Sequence, residues 1–130
     1  METSASAMRT QSIRMRLVAE NLANANSTAS TPGGTPYQRK TVTFAEAIDK
    51  TTGAPIVQTA KFGVDPSPFR TVYDPSHPAA DANGYVTLPN VQDLVEVADM
   101  REAERSYEAN LAVLNQARAM ISKTIDILKA

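Results

Sequence analysis

The chain has 130 residues with 13 basic and 14 acidic side chains, a near balance that points away from nucleic-acid binding. It contains no cysteine, no tryptophan and one histidine, which removes disulfides, zinc–thiolate sites and cysteine nucleophiles and leaves little for any metal or cofactor. No apolar run approaches the roughly 18–20 residues of a direct membrane span, and Met1 to Ala7 has neither the basic n-region nor the apolar h-region of a cleaved signal.

All eight prolines lie between Pro32 and Pro89, and all five glycines between Gly33 and Gly84. The two ends are therefore free to run as continuous helices, and the middle reads as turns and short strands. The expected fold is mainly α with a small β/irregular middle, its long terminal helices packed as a coiled coil. The expected divisions are an N-terminal helix over 1–31, a Pro/Gly-rich β/loop unit over 32–89 and a C-terminal helix over 90–130.

In chain order, the first helix carries a narrow stripe of Ala5, Met8, Ser12, Met15, Ala19 and Leu22, with Ile13, Leu17 and Val18 beside it. The stripe is rich in small residues, so it packs closely but buries modest area. Asn21, Asn24 and Asn26 are poor helix-interior residues and good helix enders, so the segment around Asn24 is expected to close this helix.

The middle offers candidate strands at Tyr37–Phe44, Phe69–Tyr73 and Tyr85–Leu88. Between them stand Pro32-Gly33-Gly34, Thr52-Gly53-Ala54-Pro55 and a proline-punctuated run from Asp65 to Pro78. Asn83-Gly84 marks a turn, because both residues tolerate positive φ. Two weak chemical signals lie here. His77 beside Ser76 and Asp74 invites a hydrolase reading, but adjacent side chains on an extended chain diverge, and a rigid proline-fixed turn explains them. Asp81-Ala82-Asn83-Gly84 resembles part of a calcium loop, yet Asn90 stands where the closing acid belongs, which favours an Asx turn.

The last helix is expected to be capped by Asn90, with Asp93 and Glu96 in its first turns. Val97, Met100, Glu104, Tyr107, Leu111, Leu114, Arg118, Ile121, Ile125 and Leu128 follow spacings of three and four, a 3.5-residue repeat over more than four heptads. A helix over 91–128 is roughly 57 Å long. The middle is too small to bury it, so it needs a helical partner. Helices without such packing are marginal in water, and both ends are expected to be unstable in a free monomer and to become ordered in an assembly.

Several motifs then point to a family. Asn21-Leu22-Ala23-Asn24, followed by Ser27-Thr28 and Tyr37, resembles the N-terminal signature of the flagellar rod, hook and filament axial proteins. Pro36-Tyr37-Gln38-Arg39-Lys40, the run Tyr73–Val86 with its Asp74-Pro75-Ser76-His77-Pro78 core, Leu88-Pro89-Asn90-Val91 and the helix Asp99–Asn110 narrow the resemblance to proximal-rod members. One departure is Ala5-Ser6-Ala7-Met8, which stands where the family usually has Ile-Ser-Ala-Ser-Gly-Leu.

The resemblance implies a non-enzymatic structural subunit of the bacterial flagellar basal body. Such a subunit leaves through the flagellar type III export apparatus without a cleaved signal peptide. It polymerises across the periplasm as part of the drive shaft and export channel. The implied partners are further copies of the chain, other rod proteins and the membrane-ring junction. The expected subunit interface comprises Met8, Met15, Leu22 and Asn24 with Val97, Met100, Tyr107, Asn110, Leu111, Leu114, Ile121, Ile125 and Leu128. The competing reading is a cytoplasmic coiled-coil adaptor or export chaperone.

Overall fold

The computed structural model describes all 130 residues, the side chain of Thr59 excepted. Helix α1 spans Glu2–Ala23 and helix α2 spans Asp93–Lys129. Between them lie two antiparallel hairpins, β1 (Lys40–Ile48) with β2 (Pro55–Val64), and β3 (Arg70–Tyr73) with β4 (Tyr85–Leu88). The sequence-based expectation of long terminal helices around a small strand region is met.

Helix α1 runs through Asn21 and stops at Asn24. Asn24 is the C-cap: its N–H donates to the Glu20 carbonyl at 3.2 Å, and its Nδ2 donates to the same carbonyl at 2.8 Å. The amide thus adds a second bond to a carbonyl that already accepts the Asn24 main-chain N–H. Residues 24–39 then travel without regular structure to the base of β1.

The first strand begins at Lys40, three residues later than expected, because residues 37–39 are committed to contacts with both helices. It continues past Phe44 to Ile48 and pairs with β2 from Lys40↔Val64 to Ile48↔Pro55, with one irregularity between Ala45 and Glu46. Strand β2 is not among the strands expected from the sequence. Its Gln58, Lys61 and Gly63 interrupt the apolar pattern, and the partner strand lies across a turn rather than inside a local period. That turn is built by Asp49, whose Oδ1 accepts from the N–H groups of Thr51 and Thr52, and by Gly53 at φ +70°.

The second hairpin matches the expected strands closely. Its register sets Tyr73 opposite Tyr85, with the rings edge to face at 5.3 Å. In the connecting loop Asp81 Oδ1 accepts from the N–H groups of Asn83 and Tyr85, both at 2.9 Å, which is the expected Asx turn. Only Gly84 of the Asn-Gly pair has positive φ, at +84°. A Cβ there would lie 3.0 Å from the Tyr73 ring.

Helix α2 opens at an N-cap of Gln92 without a side-chain cap bond, so Asn90 is not the cap. Asn90 is instead drawn into the middle of the molecule. Its Oδ1 accepts from the Arg39 N–H at 2.7 Å, and its Nδ2 donates to the carbonyls of Asp65 and Ser67, each at 3.0 Å. Satisfying three backbone groups from one buried amide outweighs the modest gain from capping an exposed helix start.

The end of α1 lies beside the start of α2, since Leu17, Val18 and Asn21 share a cleft with Glu96 and Asp99. Because the two helices pack along their lengths, they run antiparallel. The β1–β2 hairpin lies against α1, with the Val57 N–H reaching Ser6 Oγ at 3.4 Å. The core is small: Leu17, Val18, Ala25, Ala79, Val86, Val91 and Ala103 are buried, together with the polar Thr10, Asn21, Asn90 and Glu96.

Candidate functional site: a locked helix junction and an uncovered helix end

Where α1, β1 and α2 meet, side-chain bonds replace an apolar core. Asn21, 1% exposed, makes a reciprocal pair with the Lys40 backbone. Its Nδ2 donates to the Lys40 carbonyl and its Oδ1 accepts from the Lys40 N–H, both at 3.0 Å. The Tyr37 hydroxyl donates to the same Oδ1 at 2.7 Å. Burial, with the nearby charges of Glu20 and Glu96, raises the Tyr37 pKa above 10.0, so the phenol keeps the proton it donates.

Arg39 is the hub. Its Nε donates to Glu96 Oε1, while Nη1 and Nη2 reach Asp65 Oδ2 at 3.4 Å and Asp99 Oδ2 at 3.5 Å. Glu96 is fully buried. Desolvation alone would lower the Arg39 pKa, but the bond to Glu96 and the three carboxylates outweigh it and hold the pKa above the ordinary value. Bonds from Ser67, with the attraction of Arg39, hold Asp65 below 3.8. Lys40 pairs with Glu20 on the outer side. Arg39 thus fixes the base of the β unit to α2, and its neighbour Lys40 fixes it to α1.

Away from this hub the helices meet along a 3.5-residue seam. On α2 it runs through Glu96, Met100, Ala103, Tyr107, Asn110, Leu114 and Ala117, all buried or half-buried. The expected stripe therefore divides. Met100, Tyr107 and Leu114 turn towards α1, as does Asn110, whereas Val97 and Leu111 stay exposed. Ala103 replaces Glu104 in the seam because a small residue lets the helices approach and a carboxylate keeps its water.

The same shift occurs on α1. Its buried residues are Thr10, Leu17, Val18 and Asn21; Met8, Met15, Leu22 and Asn24 are half-buried, and Ala5, Ser12 and Ala19 face outward. The larger Leu17 and Val18 bury more area than the small residues of the expected stripe, and Asn21 must face the strand entry.

Beyond Ala117 every residue is exposed. Met120, Ile121, Ile125, Ile127 and Leu128 lie on this free end, which extends about 18 Å past the covered seam. Sequence periodicity located the apolar residues but not the point where cover stops.

The weaker chemical signals resolve into turns. Ser76 Oγ donates to Asp74 Oδ1 at 2.7 Å rather than engaging His77, and His77 Nδ1 accepts from the Ala79 N–H at 3.0 Å.

Terminal helices from opposite ends of one chain, joined by a locked β unit and left partly uncovered, make a scaffold with a helix face open to a neighbour. Residues 1–29 match the family described as Flagella basal body rod protein, and residues 82–127 match Flagellar basal body rod FlgEFG protein C-terminal. The chain is 54% identical to flagellar basal-body rod protein FlgC of Agrobacterium fabrum, over 96% of this chain and 90% of that protein. It is 42% identical to the FlgC of Salmonella typhimurium, over 94% and 90%. With the FlgC of Bacillus subtilis it shares 37% identity, over 99% and 96%. The chain belongs to the flagellar basal-body rod protein FlgC family, a family of structural rod components. These relatives give no support to the adaptor or chaperone reading.

Proposed function

We propose that the chain is a non-catalytic subunit of the proximal rod, exported unfolded without a cleaved signal and polymerised in the periplasm through its terminal helices. In this reading the helices line the export channel, and the β unit meets neighbouring rod proteins. The membrane-ring junction takes the torque at the base. Neighbouring residues tie the β unit to both helices, Arg39 to Glu96 and Asp99 of α2 and Lys40 to Glu20 and Asn21 of α1. Force on the β unit therefore passes into both helices rather than through a flexible linker.

The observation that carries this reading is the uncovered end of α2. Ile121 and Leu128 continue the spacing of the covered seam and Ile125 stands beside it, and all three are exposed on the chain. An apolar helix face left in water is unfavourable, and a neighbouring helix in the polymer would remove it from water. Met8, Met15, Leu22 and Asn24 on α1, with Val97, Leu111 and Leu128 on α2, form the rest of the proposed subunit interface.

The test is Ile121→Asp combined with Ile125→Asp in a strain lacking the wild-type chain. Both sites are exposed, so monomer stability should change by no more than about 0.5 kcal/mol per site. Basal bodies seen by electron microscopy should lack rods, and swimming should be lost although the variant is still exported. His77→Ala should swim normally. Normal rods in the double variant would overturn assembly through this end.

A further inference from the structure

On α2, Val97, Glu104, Leu111, Arg118 and Ile125 recur every seven residues, and all five are exposed. Val97, Leu111 and Ile125 are 40%, 39% and 45% exposed, so this line lies beside the seam with α1 and not within it. Along the helix the line reads apolar, acidic, apolar, basic, apolar. Read backwards it has the same apolar positions, with acid and base exchanged.

That pattern is self-complementary only when two copies run in opposite directions. With Leu111 opposite Leu111, Val97 meets Ile125 and Glu104 meets Arg118, twice over by symmetry. The same register sets Asp93 level with Lys129 and Leu94 level with Leu128. Leu94 and Leu128, 87% and 80% exposed, are the two most exposed of the large apolar residues. A parallel, in-register pair would instead place Glu104 on Glu104 and Arg118 on Arg118.

The wider charge pattern agrees. Residues 93–108 hold six acids and two bases, while 109–129 hold three bases and one acid. An antiparallel pair lays each acidic half on a basic half. The residues of the line drift by about 20° per heptad on a straight helix, and a shallow left-handed crossing keeps them in contact.

We propose that two free copies of this chain pair through α2 as an antiparallel twofold dimer centred on Leu111. Twofold self-pairing is the common closed arrangement for soluble chains. Here it covers the free end of each α2 with the first half of its partner. Subunits of a rod all point the same way, so this dimer is a storage form that separates before assembly. It competes for the apolar face that the rod needs and keeps that face from aggregating. The proposal concerns the chain in solution, so its failure would leave the rod reading standing.

The experiment uses the full chain. Light scattering at high micromolar concentration should give twice the 14.0 kDa chain mass, falling towards the monomer as salt is raised. The chain has no cysteine, so Leu111→Cys supplies a single thiol. Under mild oxidation it should link two copies at least roughly tenfold faster than Val113→Cys or Glu104→Cys, whose positions lie away from the axis. Glu104→Arg and Arg118→Glu should each weaken the dimer roughly tenfold, and the double exchange should restore it. A monomeric chain at these concentrations would overturn the proposal. So would faster linkage through Glu104→Cys, the sign of a parallel pair, or a double exchange as weak as the single variants.

Discussion

Two asparagines and one arginine hold the molecule where an apolar core would be expected. Asn21 and Asn90 each bond main-chain groups far away in sequence, and Arg39 gathers Glu96, Asp65 and Asp99. The partners of the hub are not equivalent. Removing Arg39 leaves Glu96 buried without its cation, so Arg39→Met should cost about 3–5 kcal/mol. Glu96→Gln leaves Arg39 with two remaining carboxylates and should cost about 1–2 kcal/mol. Urea unfolding of the two variants reads the difference, and equal losses would contradict the hub. The pH dependence has a defined sign. Asp65 is held below its ordinary 3.8 in the folded chain, so its contribution is present above that value and fades as pH falls through the depressed folded value. Melting temperature should therefore fall in acid, and Asp65→Asn should flatten that fall while lowering stability at neutral pH.

At the scale of elements, α1 owes its length to where its asparagines fall. Asn24 closes it with a side-chain bond to the Glu20 carbonyl, and Ala25 and Ser27 turn the chain away. Asn24→Leu removes that bond and favours continued helix, at a cost of about 1 kcal/mol for a half-buried amide. The larger consequence is geometric. A changed exit angle repeats in every subunit of a helical polymer, so exported Asn24→Leu chains should yield few or malformed rods by electron microscopy. Normal rods in normal number would reduce Asn24 to an ordinary helix end. The β1–β2 hairpin illustrates the converse dependence. Two strands alone are marginal, and this pair persists by lying on α1.

For the whole molecule, the decisive quantity is a mismatch of lengths. Helix α1 has 22 residues and α2 has 37, so an antiparallel pairing leaves the last part of α2 uncovered. Burial ends at Ala117. In dilute monomer, amide exchange should be slow from about Glu96 to Ala117 and fast beyond Arg118, and trypsin should cut first after Arg118 and Lys123. In assembled rods the same amides should become protected. Equal protection of both parts in a verified monomer would show that the free end does not depend on a partner for its order.

Much of this organisation was legible in the residues. The absence of Pro and Gly from the ends gave two long helices, because local backbone preference alone decides whether such a stretch is interrupted. The Asx turn at Asp81 and the β3–β4 strands followed from residues close together in the chain. The motifs from Asn21 to Asn24 and from Tyr73 to Val86 carried the family. Other features rested on contacts that sequence spacing does not encode. The role of Asn90 depends on Arg39, 51 residues earlier, and β2 became a strand through its pairing with β1. Periodicity showed that α2 carries an apolar stripe but not which side α1 would take. A 3.5-residue repeat fixes angles around one helix, while the choice of buried face depends on the size and charge of the residues brought against it. The tertiary structure alone assigned Ala103 to the seam and left Leu111 outside it.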